Sequence, residues 1–397
     1  MPSDPADPQS LPRTISVIKE WAATGHHIGA QIYVSLHGRS VADFAVGLSR
    51  PELDGTPAVP MTRDTLMLWL SACKPFAAVA LAQLHDKGLL DFSDPVMKFI
   101  PEFAAERKGG ITLTHLLTHT AGLRFIELGW PEASWEQIIT TICAAPIEPD
   151  WPIGEKAGYS PFASWFILAE VVRRLDGRPY EDYCRAEIFL PLGMSDSWMA
   201  MPPEQYRAYG DRIGMMMNTY KKPPELTGLD TEVAAANCRP SGGGRGPARE
   251  LGKFYEMLLG RGSTSPASSV FREPSGSAAG SSAIGQKANP DQILSPESIA
   301  LLTRPHRVGM FDHTFRQTMD WGLGFITNPP KYDESIPYGY GPNASPRAFG
   351  HGGSQSTCAF ADPDRDLVVV ITWNGQCGEP AHHRRLKATL GALELDL

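Results

Sequence analysis

The stretch LWLSACKPFAAVALAQL, residues 68–84, sets Ser71 and Lys74 three positions apart at the head of an apolar run. Pro75 follows the lysine directly. Proline fits a helix only in its first turn, where its missing N–H has no partner to lose, so a helix is expected to start close to Ser71. Phe76, Val79, Ala80 and Leu84 then recur at helical spacing and mark a core-facing stripe. Residues three apart share one helix surface, which brings Lys74 to the Ser71 hydroxyl while Cys73 points elsewhere and reads as a packing residue. The free N–H groups and positive dipole of a first turn favour negative charge at the serine oxygen.

Spacing alone does not make a nucleophile. Ser16 and Lys19 repeat the pattern within RTISVIKEWAATG (13–25), where the amphipathic spacing points to a solvated helix face. A serine hydroxyl is nearly inert at neutral pH and needs a base beside it, with donors for the oxyanion it generates. Two further stretches offer such groups. In PIGEKAGYSPFASWFILAE (152–170), Tyr159 sits in a turn before a strongly apolar helix. In AFGHGGSQSTCAFADPDRDLVVVITWNG (348–375), His351, Gly352 and Gly353 lead into a strand, and glycines there permit close approach of backbone to a ligand. A G-x-S-x-G elbow, an H-E-x-x-H pair and a phosphate-cradling G-x-x-x-x-G-K are all absent from the sequence.

Working outward, PRTISVIKEWAAT reads as an N-terminal helix, and GAQIYVSL and VADFAVGLS as a hairpin turning at HGRS. From about residue 61 the pattern is helical past residue 180. Strands return in DWGLGFITN, RAFGHGG, STCAFADP and DLVVVITWNG, before a closing helix in EPAHHRRLKATLGALELDL. The expected fold is α+β: an antiparallel sheet built from both chain ends (1–60 and 315–397), flanked by helices and carrying a mostly helical insertion (61–314). The active site is expected in the cleft between the two. Residues 263–292, rich in Ser, Ala, Gly and Pro, read as a long mobile loop.

The chain has 397 residues, 42% hydrophobic and 20% charged, with a formal net charge of -8, as in an ordinary globular protein able to bury a large core. No basic run exceeds a pair, which argues against nucleic acid. The start MPSDPADPQSLPRT does not read as a secretory signal, and no stretch is apolar enough to span a bilayer. The six cysteines lie far apart without metal-ligand spacing, so reduced thiols and a cytoplasmic location are expected.

Taken in order, the Ser71, Tyr159 and His351 stretches closely resemble the serine β-lactamase and penicillin-binding-protein-like superfamily, and within it the class C β-lactamase-related esterases known as family VIII carboxylesterases. ITLTHLLTHTAGL, FLPLGMSDSW, GGGRGPARELGKFYEMLLGRG, LSPESIALLT and WGLGF extend the likeness from about residue 15 to 395. The resemblance implies acyl transfer through a serine ester, without metal or cofactor. Ser71 matches the nucleophile, Lys74 the motif lysine, and Tyr159 the proton-relaying tyrosine. His351, Gly352 and Gly353 match the third, substrate-binding motif, and the backbone N–H groups of Ser71 and Ser354 would form the oxyanion hole. A cationic Lys74 would favour tyrosinate and lower the phenol pKa. Where the lactamases have Tyr-x-Asn, this chain has Tyr159, Ser160 and Pro161.

Tyr332, Tyr338, Tyr340 and Phe349 either line a substrate pocket or pin a loop, and Trp130 and Trp321 have the same two readings. The expected function is cleavage of small carboxylic esters, with a small-molecule ester or amide as the only partner. Its rivals are an acyltransferase, an amide or D-peptide hydrolase, a β-lactamase, and a non-catalytic binding protein. Retention of all three reactive side chains argues against the last.

Overall fold

The computed structural model of the protein describes residues 4–53, 55–260, 292–327 and 339–397. The expected loop at 263–292 therefore falls, but for Gln292, outside the described residues, as do Tyr332 and Tyr338.

One seven-stranded sheet organises the molecule. Its strands are β1 (Gly29–Leu36), β2 (Arg39–Arg50), β3 (Val59–Pro60), β4 (Ile326–Thr327), β5 (Phe349–Gly353), β6 (Thr357–Asp362) and β7 (Leu367–Trp373), in the order β4-β5-β6-β7-β1-β2-β3 and antiparallel throughout. Both chain ends thus meet at the β1–β7 pair, where Ile32 lies opposite Ile371. The stretch DWGLGFITN contributes only Ile326–Thr327 as strand, because Gly324 adopts φ 82° and breaks extended pairing.

LVVVITW in β7 is buried at every position, and the two-residue period of a strand divides it between two cores. Val369, Ile371 and Trp373 join Ile32 and Val34 against Ile15 and Ile18 of α1 (Pro12–Ala23) and Leu386, Leu390 and Leu393 of the C-terminal helix Glu379–Asp396. Val368 and Val370 face the other way, toward the helical mass. That mass includes α2 (Lys74–Asp86), α3 (Trp135–Ala144), α4 (Ala163–Asp176) and α5 (Ala248–Leu259), with the C-terminal helix as α6. Glycine at 252 lets α5 lie close on β1, since a Cβ there would fall 2.3 Å from the Tyr33 ring. Ser16 and Lys19 are exposed on α1, on the solvated face their spacing predicts. Among the described residues no helix is long and apolar enough to cross a membrane.

Candidate active site

Ser71 lies in a 3₁₀ turn, Leu70–Cys73, immediately before α2, with Pro75 in the first helical turn. The residue before it, Leu70, is held at φ 50°, a left-handed conformation that costs roughly 1–2 kcal/mol in a non-glycine residue. Burial of its side chain and a 2.8 Å bond from Trp69 N–H to the Gly244 carbonyl hold the turn there. Ser71 is half-buried, whereas Lys74 is fully buried with Nζ 2.9 Å from Ser71 Oγ and 2.7 Å from the Ser241 carbonyl. Cys73 is also buried, its Sγ 3.5 Å from the Pro240 carbonyl, in the packing role expected of it.

Tyr159 comes from the segment before α4. Its N–H donates to Asp312 Oδ1 (3.1 Å) and its carbonyl accepts from Thr314 Oγ1 (2.9 Å). Lys74 Nζ lies 5.1 Å from the Tyr159 ring centroid. His351 is on β5, with its ring centroid 6.2 Å from that of Tyr159, and Gly352 and Gly353 continue the strand into a turn holding Ser354. A Cβ at Gly353 would fall 2.2 Å from the Trp69 carbonyl, so only glycine lets β5 lie against the serine turn. Ser71, Lys74, Tyr159 and the third motif therefore converge.

The electrostatics depart from expectation at Tyr159. Burial pushes its hydroxyl well above the usual phenol range, against an opposing hydrogen bond with the Ser71 side chain. Burial also drives Lys74 well below the usual amine range, and the neighbouring Arg239 charge adds to that drop. The lowered phenol pKa expected from the resemblance is thus corrected to a raised one, and burial biases Lys74 away from the cationic form expected there. Desolvation outweighs the attraction between their charged forms. His351 is likewise held down, to about 3, by burial and then by Lys74. Its Nδ1–H donates to the Gly352 carbonyl at 2.7 Å, and among the described residues its buried Nε2 has no hydrogen-bond partner.

Sequence reasoning missed the shell around Tyr159. His119 accepts the Ser160 N–H on Nδ1 (3.0 Å) and the Gly158 N–H on its carbonyl (2.9 Å), and its ring packs 4.6 Å from Tyr159. Asp312 pairs at 3.1 Å with Arg307, both fully buried, while its other oxygen holds Tyr159 N–H. His119 stood inside ITLTHLLTHTAGL, but no spacing singled it out. Tyr340 bonds the Ile326 carbonyl at 2.9 Å and stacks on Phe360, and Phe349 packs edge-on to Phe325, so both act as pins. Trp321 is buried between His119 and His351.

The family model for β-lactamases matches residues 15–394. The chain belongs to the β-lactamase family. Among its relatives, a penicillin-binding protein of Bacillus subtilis is 27% identical over 211 residues, covering 50% of this chain and 46% of that protein. The chain thus spans about half the length of that relative. The esterase/β-lactamase LipL of Mycobacterium tuberculosis is 21% identical over 91% of this chain and 81% of its own. The crystal structure of a family VIII carboxylesterase superposes with a TM-score of 0.72 over 98% of both chains at 24% identity, a likeness of fold. Membership of that family accords with the mixed helical and antiparallel-sheet fold described above.

Proposed function

We propose that this protein is a serine hydrolase, a carboxylesterase that cleaves small esters through an acyl-serine intermediate. The observation that carries the reading is a buried Lys74 amine, biased toward its neutral form, 2.9 Å from the Ser71 hydroxyl. A neutral amine has a lone pair to receive the hydroxyl proton.

As Ser71 Oγ bonds to the ester carbon, its proton passes to Lys74 Nζ. The carbonyl oxygen becomes an oxyanion, received by the Ser71 and Ser354 N–H groups. When the ester C–O bond breaks, the leaving alkoxide takes the Tyr159 proton, and Lys74 restores it. Water then attacks the acyl-serine and gives its proton to the same relay. Ser71 Oγ leaves with a proton, and the carboxylic acid departs.

Preference for esters over β-lactams follows from Pro161 and His351. A lactam site must hold an amide side chain and a carboxylate. Proline offers no side-chain donor, and a histidine held near pKa 3 carries no charge at neutral pH to pair with the carboxylate. LipL, named as an esterase as well as a β-lactamase, supports ester cleavage without ranking the two substrates.

A fluorophosphonate should label wild-type protein at Ser71 and leave Ser71→Ala unlabelled. Lys74→Ala should lower kcat at least ~100-fold, the scale of a lost general base. In parallel assays kcat/KM should favour a short-chain acyl ester over a chromogenic cephalosporin by ~100-fold, about two lost polar contacts. Equal or faster cephalosporin hydrolysis makes the protein a lactamase instead.

A further inference from the structure

Arg239 carries a buried charge without a matching anion. The residue is 8% exposed, its Nη2 donates to the Gly242 carbonyl at 3.0 Å, and its guanidinium stacks 4.3 Å from the centre of the Trp130 ring. Among the described residues, its buried Nε has no hydrogen-bond partner. Among the described residues Arg239 forms no ion pair. The carboxylate whose field reaches it is Asp230, which also acts on Arg245 and Arg50 and accepts the Met216 N–H at 2.6 Å. A guanidinium is costly to bury unless something supplies the missing negative charge.

Its location says what that could be. Pro240 and Ser241 follow it directly, and their carbonyls take the Cys73 thiol and the Lys74 amine where the serine turn runs into α2. Arg239 therefore stands one short loop from the reacting groups, close enough for its charge to act on Lys74. The half-buried Trp130 covers one side, its indole N–H 3.2 Å from the Asn237 carbonyl. A planar guanidinium held against an indole keeps a fixed orientation, suited to a carboxylate received through two N–H groups.

We propose that Arg239, backed by Trp130, is a specificity-determining residue that binds a carboxylate carried by the ester substrate. The proposal rests on the esterase reading, and its test separates the two. Paired esters that differ only in a free or methyl-capped carboxylate are compared, with the carboxylate on the acyl side (a hemisuccinate) or the alcohol side (a 3-acyloxybenzoate). Wild-type kcat/KM should favour the free carboxylate at least ~10-fold in one of the two pairs, the low end for a charge-assisted hydrogen bond. Arg239→Gln should abolish that preference and Arg239→Lys should keep part of it. Independently of any ester turnover, benzoate should slow fluorophosphonate labelling of Ser71 in wild type more than benzamide does, and lose that advantage in Arg239→Gln. A wild-type protein with neither preference overturns the proposal, as does an Arg239→Gln variant with both intact. If Arg239→Gln does not fold, Trp130→Leu takes its place and should weaken both preferences; unchanged preferences there overturn the proposal too. Failure of every ester to turn over, with benzoate protection intact, removes the esterase reading and leaves the anion site standing.

Discussion

The Tyr159 ring lies 4.6 Å from His119 and 4.8 Å from Phe315, and its peptide is fastened on both sides by groups that never touch Ser71. His119 does the larger part, taking N–H groups from Gly158 and Ser160 while held at φ 59°. Because Nδ1 accepts a hydrogen bond, the ring proton sits on Nε2, and burial holds the imidazole neutral. A phenol that must hand over a proton within a few tenths of an ångström depends on this clamp. His119→Ala should lower kcat ~10-fold or more with a smaller change in KM, and slow phosphonylation of Ser71 in parallel. His119→Asn should recover much of the rate, since asparagine tolerates left-handed backbone and offers an acceptor to Ser160. Equal losses in both variants would mean that the ring's bulk, not its acceptor, matters. The sequence exposed Ser71, Lys74 and Tyr159 because chemistry restricts the residue types at those places. It concealed His119 and Asp312, which contact backbone N–H groups that any neighbouring residue supplies.

At the scale of elements, the site depends on how closely β5 lies against the turn Leu70–Cys73. The first stretch made the helix legible, because Pro75 restricts where it can start. The strand was legible from alternation and glycine. Their mutual distance was not, because it arises from a Cβ absent at 353 and a carbonyl at 69, far apart in the chain. Gly353→Ala places a methyl group 2.2 Å from that carbonyl, so either the strand or the serine turn must move. We expect kcat to fall at least ~10-fold, the lower range for disturbing an oxyanion donor, with modest loss of stability because the β5–β6 ladder survives. Normal turnover in Gly353→Ala would place the oxyanion donors elsewhere. Arg385, on α6, braces the turn after β5 that holds Ser354 through a 2.8 Å bond to the Gln355 carbonyl, a contact the apolar pattern of that helix gave no sign of.

Across the whole molecule, burial acts in one direction on histidine. His27, His119, His351 and His382 are buried, and all four are held below the ordinary range, His27 to about 2 and His351 to about 3, each with desolvation as the leading cause. In the unfolded chain the same residues titrate near 6.5. Between those limits the unfolded state binds more protons than the folded one, so folding stability is complete above about pH 7 and falls as the pH drops below about 6.5. Ordinary carboxylates titrate lower still and add little at pH 5 to 6. His27 and His351, held to about 2 and about 3, each contribute a slope of about 1.4 kcal/mol per pH unit there, together about 3 kcal/mol per pH unit near pH 5, and the lowered His119 and His382 add to it in the same direction. Two such units remove about 6 kcal/mol, a large part of a net stability of roughly 5–15 kcal/mol. Urea midpoints at pH 7.5, 6.0 and 5.0 should therefore drop steeply between the last two; His27→Gln should flatten the curve by about one proton, and His382→Gln should flatten it in the same direction. A midpoint unchanged from pH 7.5 to 5.0 would mean that these imidazoles find water or a partner that lets them charge within the fold.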